Sequence, residues 1–377
     1  MLHTLNMKNR ITQPASQPAS QPASQPARLV GLDVFRILAA FAIVAYHSWM
    51  HIHVSYKLMD DFVSMAAVYM TGFFMLSGAV LQYMYGDKKI LEISVLKNFY
   101  WKRFIAIMPL YYFAGFAWMI HYSKESLWQN LVYIPFSLEG FQMLFPGTFN
   151  VSHNGGSWFI SCIVICYLLY PFMSRIVSQL SIKGNWKLMG IICLNLYLAP
   201  LFIYMYQTPG IYSTPAFRFM EFMLGVIVMQ LYQQNLSTNK WCKKYLYTWK
   251  AFGVEMLLLV GGVSYMVHSQ FAINDYAWYN WLVVPVYMLQ LLTLLKVKAP
   301  ILNSKTVQYI SACTYAIFLA QFEFCWTLAR WVYEIGGIEK NTFRIIIAWA
   351  SCMLIAVLMH EFIEKPGKKF LKGMIQN

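Results

Sequence analysis

Residues 32 to 49, LDVFRILAAFAIVAYHSW, form an apolar run long enough to cross a bilayer, yet the run carries an arginine at 36 and a histidine at 47. About 20 apolar residues are needed for a helix to span roughly 30 Å of hydrocarbon. Runs of that length recur near 30–50, 62–85, 100–120, 157–177, 187–206, 215–235, 250–270, 276–296, 306–331 and 342–362, ten in all. Only helices and closed barrels satisfy their backbone polar groups in lipid, and barrel strands alternate rather than run continuously apolar. With 59% hydrophobic and 12% charged residues and a mean hydropathy of +0.48, the composition excludes an ordinary soluble domain. The expected fold is an all-α polytopic membrane protein, a bundle of about ten transmembrane helices.

Cytoplasmic loops retain Lys and Arg, and an even number of spans puts both termini on one side. With the N-terminus cytoplasmic, 22 of the 29 Lys and Arg lie in cytoplasmic segments, six lie on the far side, and Arg36 is inside the first span. The expectation is therefore a multi-pass protein of the cell membrane with both termini cytoplasmic. The net charge of +14 follows from that retention and from attraction to anionic membrane lipids, and it gives no reason to propose nucleic acid.

Residues 1–28, with the QPAS repeat at 13–27, cannot bury a core and read as a disordered cytoplasmic leader. Residues 29–370 form the transmembrane domain, with its first span as insertion signal, and 371–377 a cytoplasmic tail. Six of the seven cysteines fall within spans, so no oxidised framework is implied. Cys162 and Cys166, four apart on one helix face, read as packing residues, and no metal site is expected. The loop at 121–156 carries Trp128, Tyr133, Phe136, Phe141, Phe145 and Phe149. It reads equally as an interfacial cap and as a platform for sugar rings.

Arg36 and His47 are eleven residues apart. At 100° per residue that is three turns plus about 20°, so both lie on one helix face, about 16 Å apart along the axis. An ionisable group inside a membrane costs several kcal/mol unless it faces a partner or a wet cavity, and its default reading is functional. The bland alternatives are snorkelling of Arg36 or its pairing with Asp33, and an interfacial place for His47 beside Trp49, His51 and His53.

GLDVFRILAAFAIVAYHS (31–48) resembles the opening of the membrane acyltransferase-3 family almost position for position. Further segments follow in that family's order: GFFMLSGAV (72–80), FYWKRFIAIMPLYY (99–112), GSWFISCIVICYLLYP (156–171), FRFMEFMLGV (217–226), SACTYAIFLAQF (311–322) and IEKP (363–366). The resemblance covers about residues 29 to 370. The chain departs from it where a second arginine is usual, at Ala106, and where a histidine is often found, at Gln321.

The resemblance implies transfer of an acyl group, most often acetyl, from cytoplasmic acetyl-CoA or another acyl-CoA to a hydroxyl of a cell-surface or exported polysaccharide or glycolipid. It implies His47 as general base or as the site of a transient acyl group, Arg36, Lys102 and Arg103 as donor-binding residues, and Trp158, Arg218, Glu221 and Gln321 as acceptor contacts. Arg36 is also a candidate in the chemistry itself. An ion pair between Arg218 and Glu221 is equally expected from their spacing. Glu255 and Glu323 read as buried against polar partners. Glu364, before Pro366, is expected to end the last helix, and Gly72, Ser77 and Gly78 to mark close packing. The rival class is a transporter or flippase of a glycolipid or sugar, but the internal repeats common in that class are not found in this sequence.

Overall fold

The computed structural model describes residues 28–86, 89–122, 157–206, 212–270, 276–297, 300–321 and 324–376, with short pieces at 128–129, 131–132, 134 and 140–144. The 13–27 repeat, Glu323, and Tyr133, Phe136, Phe145 and Phe149 of the long loop lie outside the described residues. The α-helices are α1 (Val30–Ile52), α2 (Asp60–Ser64), α3 (Tyr69–Tyr85), α4 (Ile93–Tyr122), α5 (Ser157–Gln179), α6 (Ile182–Tyr206), α7 (Pro215–Leu231), α8 (Trp249–His268), α9 (Asn280–Lys296), α10 (Lys305–Ala320), α11 (Phe324–Gly336), α12 (Asn341–Met359) and α13 (Lys365–Gln376). Among the described residues there is no strand. The protein is an all-α polytopic membrane protein.

Nine helices among the described residues are long and apolar enough to span a bilayer. The expected ninth span is a pair, α10 and α11, meeting at 76°, and it supplies the tenth crossing if the pair counts as one. Local signals fix several starts. Thr248 accepts a hydrogen bond from the Ala251 amide before α8, Ser304 accepts one from Val307 before α10, and Pro215 opens α7, where its missing N–H costs nothing. At the other end of α1, His53 turns left-handed (φ 56°) and stops the helix.

Pro366 does not stop the last helix. The chain passes through a π-helical turn at His360–Glu364 into α13, where Pro366 falls in the first turn and needs no backbone N–H. Glu364 is buried in that turn, accepting from His360 Nδ1 at 2.6 Å and from Lys368 Nζ. Its role is to pin the turn, not to end the helix.

α1 runs through the middle of the bundle and packs against α3, α9, α10 and α12. Small residues allow the closest approaches, as membrane packing favours. A Cβ on Gly31 would lie 1.8 Å from the Leu294 carbonyl oxygen, one on Gly78 2.0 Å from that of Phe222, and one on Gly225 1.8 Å from that of Met75. The last two clamp α3 to α7 from both sides. Gln82 then ties three helices together: its Nε2 donates to Gln230 Oε1 (2.7 Å), and its Oε1 accepts from Ser174 (2.9 Å) and Tyr170 (3.2 Å). α6 and α8 lie at the rim, showing Leu194, Leu198, Phe202, Leu257 and Leu258, as a lipid-facing surface does. All seven cysteines are free; Cys162 and Cys166 are buried in the core.

Candidate active site

α1 is unbroken from Val30 to Ile52, so Arg36 and His47 keep one face and an axial separation of about 16 Å. Arg36 sits in a polar cluster. Its Nη1 donates to Asp33 Oδ1 (3.1 Å) and Ser311 Oγ (3.3 Å), Ser311 donates to the same Asp33 oxygen (2.6 Å), and Arg28 Nε holds the other one (2.8 Å). Two arginines share one carboxylate, so the cluster keeps a net positive charge. The Arg36 side chain is one-third exposed (33%), leaving part of its guanidinium able to meet a ligand.

Tyr167 on α5 lies within electrostatic reach of both Arg36 and Arg103. The Arg103 guanidinium stands 5.8 Å from the centre of the Tyr167 ring and 5.9 Å from that of Phe99. Arg103 Nε and Trp101 Nε1 are buried with no hydrogen-bond partner among the described residues. Leaving donors like these unmatched costs about 1–3 kcal/mol each, more for the charged one, and marks a place for an acceptor.

Both residues line a cavity of about 1030 Å³ between α4 and α5. Lys97, Phe104, Met108, Val164 and Leu168 form much of its wall, and Met374 of α13 reaches it too. Lys102 is exposed and does not line this cavity, because it is two residues, about 200°, from Phe104 and so on the opposite side of α4. Lys97, four residues before Trp101, takes that place.

At the other end of the face, His47 Nδ1 lies 2.9 Å from Gln321 Oε1. Gln321 Nε2 donates in turn to the Ile317 carbonyl at 2.9 Å. The His51 ring lies 5.6 Å from that of His47, and Trp326 stacks on His51 at 6.2 Å. Tyr56 braces this end of α1, sharing a 2.7 Å hydrogen bond with Ser48 and accepting one from Trp349 Nε1 at 2.8 Å.

Trp158, Arg218 and Glu221 come together, buried, elsewhere in the same bundle. Arg218 donates to Glu221 Oε2 (2.7 Å), Thr71 Oγ1 (3.2 Å) and the Tyr212 carbonyl (2.6 Å). Its guanidinium is ringed by Tyr212 (4.8 Å), Trp158 (5.4 Å) and Phe74 (5.5 Å). A path of tyrosines joins this cluster to the histidine: Tyr212 and Tyr276 rings at 4.5 Å, Tyr276 to Tyr46 hydroxyls at 3.4 Å, then Tyr46 beside His47 at 5.1 Å.

Sequence reasoning missed Ser311 as the partner of Arg36, and it missed Lys97, Trp101, Tyr167 and the tyrosine path. Lys97 and Trp101 could have been found, since their four-residue spacing puts them on one helical face. Ser311 is 275 positions from Arg36, and no local pattern announces that pairing. Glu255 is buried beside Thr293, which donates to it at 2.7 Å. Among the described residues no group of three or more His, Cys, Asp or Glu is placed to hold a metal.

The family model described as an acyltransferase domain matches residues 29–361, nearly the whole chain and every site residue above except Arg28 and Met374. No curated protein and no solved structure matches.

Proposed function

Since the chain belongs to the acyltransferase-3 family, we propose that it transfers an acyl group, acetyl by family resemblance, from cytoplasmic acyl-CoA to a hydroxyl of a cell-surface or exported polysaccharide. The observation that carries this reading is the pairing on one unbroken helix of a cation cluster at Arg36 with a hydrogen-bonded histidine about 16 Å further on. Arg36 and Arg103 serve the donor, whose phosphates supply the acceptors that Arg103 Nε and Trp101 Nε1 lack. The cavity is large enough for such a ligand. Lys97 joins them from the cavity wall, and Lys102, exposed outside the cavity, meets the outlying phosphates.

His47 removes the proton of the acceptor hydroxyl as its oxygen attacks the thioester carbonyl. The C–O bond forms, the C–S bond breaks, and the histidine proton passes to the departing thiolate. General-base action of this kind contributes about 10²–10⁴-fold in rate. Tyr212 and Tyr46 supply aromatic faces for the acceptor sugar, and the buried Trp158 and the Arg218–Glu221 pair hold that wall in place.

The test is to incubate washed membranes containing the protein with radiolabelled acetyl-CoA and count label in the polysaccharide fraction. Label that depends on the protein supports the proposal. Its absence with acetyl-CoA and with longer acyl-CoA donors contradicts it.

A further inference from the structure

The Gln321 amide has one end that donates and one that accepts, and its surroundings decide which end is which. Its Nε2 donates to the Ile317 carbonyl, a group that can only accept. Its carbonyl oxygen, which also can only accept, therefore faces His47 Nδ1. The nitrogen opposite an acceptor-only oxygen must be the one that carries hydrogen. In a neutral imidazole the remaining nitrogen, Nε2, then holds the lone pair.

We infer that Gln321 is a positioning residue that locks His47 in the Nδ1–H form and aims Nε2 at the acceptor hydroxyl. The role of Nε2 as base rests on the acyl-transfer reading; the lock itself does not. Gln321 is 1% exposed, so it acts through the histidine and not on a substrate. The Nδ1–H···Oε1 bond is made both before and after His47 takes up a proton, so no partner has to reorient during the reaction. A histidine at position 321, frequent in the family this chain resembles, has two ring nitrogens whose roles exchange with tautomer. Glutamine, held by Ile317, cannot invert its polarity.

The test combines ring nitrogen spectroscopy of ¹⁵N-histidine-labelled protein with kinetics. His47 is assigned by the signal missing from His47→Ala. Wild type is expected to show a protonated Nδ1 and an unprotonated Nε2 at neutral pH, without substrate. Gln321→Met is expected to lose that preference and to lower kcat at least tenfold, with KM for acyl-CoA within about twofold. Gln321→Glu keeps an acceptor in place and is expected to restore the Nδ1–H form and most of kcat. A wild-type ring protonated on Nε2, or a Gln321→Met protein with unchanged tautomer and kcat, overturns the inference. A ring in the Nδ1–H form in a protein that transfers no acyl group supports the lock and overturns the acyltransferase reading alone.

Discussion

Arg218 and Glu221 close a 2.7 Å ion pair one helical turn apart on α7, with side chains only 5% and 4% exposed. Thr71 of α3 binds both partners, so the pair joins two helices as well as two charges. Removing one member strands the other in the bundle, which typically costs roughly 3–5 kcal/mol. Arg218→Met should therefore lower the thermal midpoint of the detergent-solubilised protein well below that of Arg218→Met/Glu221→Met, in which no charge is left alone. Scanning fluorimetry of the two variants beside wild type checks this.

The α3–α7 clamp makes a second prediction. A methyl group at Gly225 would sit against the Met75 backbone oxygen, which has no flexible end to move aside. Gly225→Ala should push the helices apart and destabilise the protein by more than about 1 kcal/mol. Gly253 on α8 is the control, since a Cβ there meets nothing within 4 Å. Gly253→Ala should leave the thermal midpoint unchanged or raise it slightly, because alanine favours the helix. Size-exclusion profiles after mild heating distinguish the two.

What could be read from the sequence was what lives on a single helix. Arg36 and His47 needed only the helical repeat to be placed on one face, and α1 has the length and continuity that their spacing required. The crossings were legible because apolar length is a local property. The bend between α10 and α11 was not, since the two helices meet inside the one run at 306–331, which Gln321 and Glu323 interrupt without a proline or glycine to mark a break. Pro366 misled because a proline stops a helix only inside it, and here a π turn restarts the count just before it. The partners of the site residues were hidden for another reason. Ser311 and Gln321 reach α1 across more than 270 positions, and only packing of α10 against α1 brings them there. Lys102 belongs to the basic segment FYWKRFIAIMPLYY, but of its charged residues only Arg103 lines the cavity, where Lys97 from the preceding turn joins it.

The cation cluster around Asp33 predicts a donor effect at Arg36. Arg36→Ala should raise KM for acyl-CoA at least tenfold, since a hydrogen bond between charged groups contributes about 1.5–3 kcal/mol. Arg36→Lys keeps the charge but not the planar fork, and should recover only part of that loss. Steady-state kinetics with varied acyl-CoA at saturating acceptor reads both.

The distribution of Lys and Arg predicts both termini in the cytoplasm. A fluorescent or alkaline-phosphatase reporter fused after Asn377 should report a cytoplasmic location, and a reporter placed near Lys124 the opposite one. The reverse pattern would turn the donor end of α1 away from the acyl-CoA pool.

Catalysis by His47 is the central claim, and one comparison tests it most directly. Cells lacking the protein are complemented with wild type or with His47→Ala, matched for membrane abundance, and their surface glycans are weighed by mass spectrometry. The account predicts an acyl mass increment, restored by wild type and absent with His47→Ala. Glycans carrying that increment to a similar extent with His47→Ala would contradict it.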